Sequence, residues 1–135
     1  MEEPESPIDV SKLEHFEYEA LIPLYELRIE DAPEDIQAIH WLGYAYTHVG
    51  RYEDGLELDR RLSRLMPDDR MVHYNLACSL ALLGRIDEAF DTLYHAVELG
   101  YGDAEHLEAD SDLDSIRRDD RYPDLLARIR DRVGP

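Results

Sequence analysis

The sequence predicts an all-α fold, a right-handed solenoid of antiparallel helix pairs, and three observations predict it. Apolar residues recur at intervals of three and four positions through most of the chain. Two consecutive 34-residue units, Ile36–Asp69 and Arg70–Asp103, carry the same order of small and large apolar residues. Loops of only two to four residues separate the predicted helices of each unit. Connections that short force neighbouring helices to pack antiparallel, and pairs repeating at this interval stack as a superhelix.

Length and composition fit one such domain. The 135 residues suffice for a proper core without disulfides or metals, and 44% apolar content is globular. Acidic residues outnumber basic ones 32 to 14, a formal charge of −18, and Lys12 is the single lysine. That surface would repel phosphates, so nucleic acid is not expected as a ligand. The charge itself reads either as a soluble, salt-adapted or arginine-biased surface or as a field that steers a basic partner. A lone cysteine, Cys78, excludes an intramolecular disulfide and points to a reducing compartment, so the expected location is cytoplasmic. No apolar run reaches about 18 residues, so no membrane span is expected, and the acidic start Met1-Glu-Glu-Pro-Glu lacks the apolar centre of a secretory signal.

Residues 1–8 should form a mobile acidic tail, and residues 9–135 a single domain. Within it, 9–35 reads as a partial repeat, with a short helix near Asp9–His15 and a main one near Glu17–Glu30. Leu13, Phe16, Ala20, Leu24 and Leu27 are its apolar stripe, and Pro23 is expected early in the helix, where proline is tolerated. Asp35 suits the N-cap of a helix running to Val49 and stopped by Gly50. A partner helix covers Tyr52–Leu65, with Glu53 and Asp54 in the turn where a helix start favours acids. The second unit repeats this as Arg70–Leu83, closed by Gly84, and Ile86–Leu99, closed by Gly100. Residues 104–135 should cap the stack with short helices near Ala104–Glu108 and Asp112–Arg117 and a final one near Tyr122–Arg132, whose stripe is Leu125, Ile129 and Val133.

A shift of 34 residues pairs Leu42 with Leu76, Gly43 with Ala77, Tyr46 with Leu80, Gly50 with Gly84, Gly55 with Ala89 and Leu62 with Ala96. Small residues at Gly43/Ala77 and Gly55/Ala89 would let crossing helix axes approach to about 8–10 Å. The pattern, with Pro67 closing the first unit and Leu93 in the second, resembles the tetratricopeptide repeat (TPR) family over about residues 16–103. It departs at Ile39 and His73, where the family often has tryptophan, at Asp59, where an aromatic is usual, and at Tyr101, where proline would close the unit. Asp110–Leu126 resembles a segment found after the last repeat in bacterial TPR proteins. The resemblance implies about two full repeats, an N-terminal partial repeat and capping helices.

It also implies that the first helix of each unit lines a concave groove. The groove candidates are Gln37, His40, Trp41, Tyr44 and His48, then Met71, Tyr74, Asn75 and Cys78. Neither first helix contains an acid, so the groove is neutral and aromatic within an acidic chain. Trp41, Tyr44 and Tyr74 offer the stiff amphipathic area typical of binding hot spots; the competing reading makes them core beneath the chain's own termini. Asn75 matches the asparagine of carboxylate-binding TPR domains, but His40, Tyr44, Ala104 and His106 supply none of that clamp's cations. His40 and His48 are about 12 Å apart along a helix, too far for one metal. The run Asp110-x-Asp112-x-Asp114 resembles the start of a calcium loop, but Ser115 replaces the needed glycine and Arg121 the bidentate glutamate, so it reads as a helix-cap cluster. No nucleophile motif or phosphate loop occurs, so neither enzyme activity nor cofactor is expected. The expected function is binding a peptide or helix of another protein in the groove. The alternative is a self-associating or chaperone-like module, as a homodimer or with the groove filled by its own ends.

Overall fold

A computed structural model describes residues 14–133, and all regular structure among them is helical. The elements are α1 (His15–Asp31), α2 (Ile36–His48), α3 (Tyr52–Leu65), α4 (Arg70–Leu82), α5 (Ile86–Glu98), α6 (Ala104–Ala109), a 3-10 helix over Ser111–Ile116, and α7 (Tyr122–Val133). The expected tail over residues 1–8 and nearly all of the expected helix near Asp9–His15 lie outside the described residues. None of the described helices is long and apolar enough to cross a membrane. The chain divides into two compact units, one through Leu58 and one from Asp59.

In the first unit α1 packs on α2. A reciprocal capping box opens α1, the Glu14 N–H donating to Glu17 Oε1 at 3.3 Å. Two expectations for this helix are corrected. Pro23 sits inside the 17-residue helix, past its first turn, where its missing N–H removes one rung of the ladder. The face turned to α2 carries Tyr18 and Ile22, both buried, with Tyr25 and Ile29 half-buried. The expected core stripe instead faces solvent: Phe16 is 70% exposed, and Leu24 and Leu27 are each 63% exposed.

Asp35 caps α2 by accepting from the Ala38 N–H at 3.2 Å, and Gly50 follows its end at φ +84°, a conformation that side chains with a Cβ resist. The α2–α3 crossing is as close as the small residues require. A Cβ on Gly55 would stand 2.9 Å from Thr47 Oγ1 and 3.4 Å from the Gly43 carbonyl oxygen.

In the second unit Asp69 caps α4 through the Met71 and Val72 N–H groups, and Gly84 at φ +73° repeats the stop seen at Gly50. Ala77 and Ala89 are fully buried in the α4–α5 pair. Phe90 and Leu93 from α5, Leu107 from α6, Leu113 and Ile116 from the 3-10 helix, and Leu125 and Ile129 from α7 complete a core with no solvent exposure. Burying each such side chain contributes about 1.5–3 kcal/mol before chain entropy is charged against it. The expected helix near Asp112–Arg117 is a 3-10 helix, because Asp110 Oδ1 accepts from the Asp112 N–H two residues on and tightens the turn.

Candidate functional site

Apolar spacing on α2 leaves His40, Trp41, Tyr44 and His48 on one side of the helix, and the first unit joins them into a run of rings. His40 meets the Trp41 ring edge-on at 4.6 Å, Trp41 meets Tyr44 at 5.7 Å and 82°, and Tyr44 lies 4.6 Å from His48. Tyr18 of α1 stacks on His48 at 4.3 Å and 16°, which anchors the far end of the run on a buried residue. Trp41, Tyr44 and His40 are half-buried and His48 is exposed, so the rings are held in place yet reach solvent. Burial pushes the His40 imidazole below its ordinary value, favouring a neutral ring that can donate and accept.

Trp41 also closes a recess of about 450 Å³ between α1 and α2. Leu21, Leu24, Tyr25 and Ala38 form its apolar wall and Gln37 its polar edge. At one end Arg28 Nε donates to Asp35 Oδ2 at 2.8 Å, and this bond, followed by the Ala38 N–H, holds the Asp35 carboxyl below the usual carboxylate range. A concave apolar site with a few oriented polar groups is the usual form of a binding pocket. The α1 contribution, Leu21, Leu24, Tyr25 and Arg28, is absent from the sequence-derived set. Its one visible signal is that α1 is apolar around more than half its circumference, more than packing on one neighbour needs.

The α4 candidates have a different fate. Tyr74 is 1% exposed, stacks on Tyr101 at 4.6 Å and 12°, and donates its hydroxyl to Asp110 Oδ2 at 2.7 Å. Cys78, 7% exposed, donates its thiol to the same oxygen at 3.6 Å. The C-terminal part of the chain therefore covers this stretch of α4, and Ser115 ties it further by donating to the Ala81 carbonyl at 2.8 Å. Met71 is exposed and Asn75 half-buried, leaving these two of the α4 candidates with solvent-facing surface. The Tyr101 ring stacks on Tyr74 at the end of this unit.

Cys78, Asp110 and Asp112 place one ligand-type atom each within 4.8 Å of one another. Burial and the two carboxylates push the thiol well above its ordinary value, so it acts as a hydrogen-bond donor, and Asp110 joins α4 to the 3-10 helix.

No family model matches the chain. It is 29% identical over 90 residues to a chloroplastic protein of Arabidopsis thaliana, an alignment covering 64% of this chain. The chain spans about a quarter of that relative's length, 27%.

Proposed function

We propose that the chain is a TPR-like interaction module, its helix pairs stacked as a solenoid, that binds a peptide or helix of another protein through the aromatic face of α2. The observation that carries this reading is the ring run His40–Trp41–Tyr44–His48 beside the recess under Trp41. Large rings fixed by their neighbours lose little entropy on binding, and their polar tips orient a ligand. Gln37, His40 and His48 are the polar contacts in this reading; Met71 and Asn75 are candidates in the second unit. Cytoplasmic adaptor work is the role proposed, with no catalytic step.

One observation favours the second reading, a module that fills its own binding face. Residues 101–116 occupy the α4 surface over Tyr74 and Cys78 as a ligand would. The two readings separate in one experiment. A partner recovered by co-purification and identified by mass spectrometry is titrated against the full chain and against Trp41→Ala and Tyr44→Ala. Interaction through α2 predicts at least tenfold weaker binding in each, as for hot-spot residues. Unchanged affinity in both would remove α2 as the contact.

A further inference from the structure

Apart from Leu24, which also walls the recess under Trp41, the outer face of α1 is not used by the α2 reading. Phe16, Ala20, Leu24 and Leu27 follow one another at i, i+4, i+8 and i+11, a single ridge about 16 Å long. Its three large side chains are between 63% and 70% exposed. Scattered apolar residues on a surface are ordinary, but a ridge at this spacing has the form that interdigitates with a second helix.

Charge decides which helix. Glu19, Glu26 and Glu30 lie along one flank of the ridge, Glu26 turned to α2 where it accepts from the Tyr46 hydroxyl at 3.0 Å; Glu17 lies on the other flank, and Asp31 ends the ridge. Arg28 pairs with Asp35 at 2.8 Å and also feels the charge of Asp31. A second copy of the chain would set the same glutamates against one another. Residues 1–13 are no better suited, with Glu2, Glu3, Glu5 and Asp9 against Lys12. An apolar ridge with an anionic flank inside a chain of net charge −18 is complementary to an apolar ridge with a cationic flank.

We propose that the outer face of α1 docks a basic amphipathic helix of another protein, its apolar anchors seated among Phe16, Leu24 and Leu27 and its Lys or Arg side chains reaching Glu19 and Glu30. This surface meets the recess under Trp41 at Leu24, while Phe16, Ala20 and Leu27 lie outside that recess.

The probe is a synthetic helical peptide of about four turns, with leucines on one face and lysines on both flanks. Its control carries glutamates in place of the lysines. Both are titrated by fluorescence anisotropy against the native chain, the neutral variant Leu24→Gln/Leu27→Gln, the variant Glu19→Gln/Glu30→Gln, and Trp41→Ala/Tyr44→Ala. All substituted side chains in the first two are exposed, so circular dichroism should show native folding. The expected result is at least tenfold loss of lysine-peptide affinity in Leu24→Gln/Leu27→Gln and a shallower salt dependence in Glu19→Gln/Glu30→Gln. The glutamate peptide should not bind, and Trp41→Ala/Tyr44→Ala should bind as the native chain does. Unchanged affinity in Leu24→Gln/Leu27→Gln would reduce the attraction to bulk charge and overturn the proposal. Loss only in Trp41→Ala/Tyr44→Ala would move the contact to α2 and also overturn it. So would a native dimer that Leu24→Gln/Leu27→Gln converts to monomer, or methyl NOEs from Leu24 and Leu27 to Ile8 or Val10, because the ridge would then already be covered.

Discussion

The Asp59 carboxylate of α3 accepts from Ser79 Oγ of α4. Loss of solvent pushes its pKa from 3.8 up to about 7, against the opposing effect of the Ser79 hydrogen bond. A carboxyl whose folded pKa lies above its unfolded value binds its proton more tightly when folded. Its contribution is therefore most favourable at low pH and is lost as pH rises between about 4 and 7. Asp59→Asn keeps the acceptor and removes the ionisation. Its melting temperature should match the native chain near pH 4 and exceed it by about 4 °C or more at pH 8; parallel curves across that range would contradict the assignment. Cys78 gives a second check. With its thiol buried and held protonated beside Asp110, it should resist alkylation at pH 7.5 in the folded chain and react promptly in denaturant. Prompt labelling of the native chain would show that residues 101–116 do not cover α4 as described.

The α2–α3 crossing depends on Gly55 for space, not for backbone freedom, since a Cβ there would press on Thr47 Oγ1. Gly55→Leu should cost about 3 kcal/mol, measured by urea unfolding; a neutral outcome would mean that the helices are not closely crossed. This crossing was legible in the repeat itself, as were the caps at Asp35 and Asp69 and the stops at Gly50 and Gly84, because each is a local requirement of one residue. Helix α1 was not legible in the same way. Its two apolar rows, Phe16–Ala20–Leu24–Leu27 and Tyr18–Ile22–Tyr25–Ile29, have equally good helical spacing, and only α2 selects the second as core. The site inherits that ambiguity: Trp41 and Tyr44 stood out on α2, whereas the wall that Leu21 and Tyr25 add depends on how α1 is turned. Tyr74 and Cys78 are covered by Asp110, 36 and 32 positions along the chain, a distance over which periodicity carries no information.

With a net charge of −18, repulsion among carboxylates opposes compaction of the chain. Exposed pairs such as Arg51–Asp54 at 2.8 Å and Arg60–Glu88 at 3.0 Å offset little of this, since solvent-screened bridges are worth about 0–1 kcal/mol. Raising salt from about 0.05 to 0.5 M should therefore raise the melting temperature, because screening weakens the net repulsion more than the paired contacts. A fall in melting temperature would mean that the ion pairs dominate. The same field should accelerate encounter with a basic partner at low salt.

Trp41 is the single tryptophan of the chain and lies within the proposed contact, so its fluorescence reports on that contact alone. The most direct measurement is a titration of Trp41 emission with the co-purifying partner, run beside calorimetry on the native chain and on Tyr44→Ala. Binding through the α2 face predicts a blue shift that saturates at the calorimetric midpoint and a midpoint at least tenfold weaker in Tyr44→Ala. Calorimetric binding with unchanged Trp41 emission and undiminished affinity in Tyr44→Ala would contradict it.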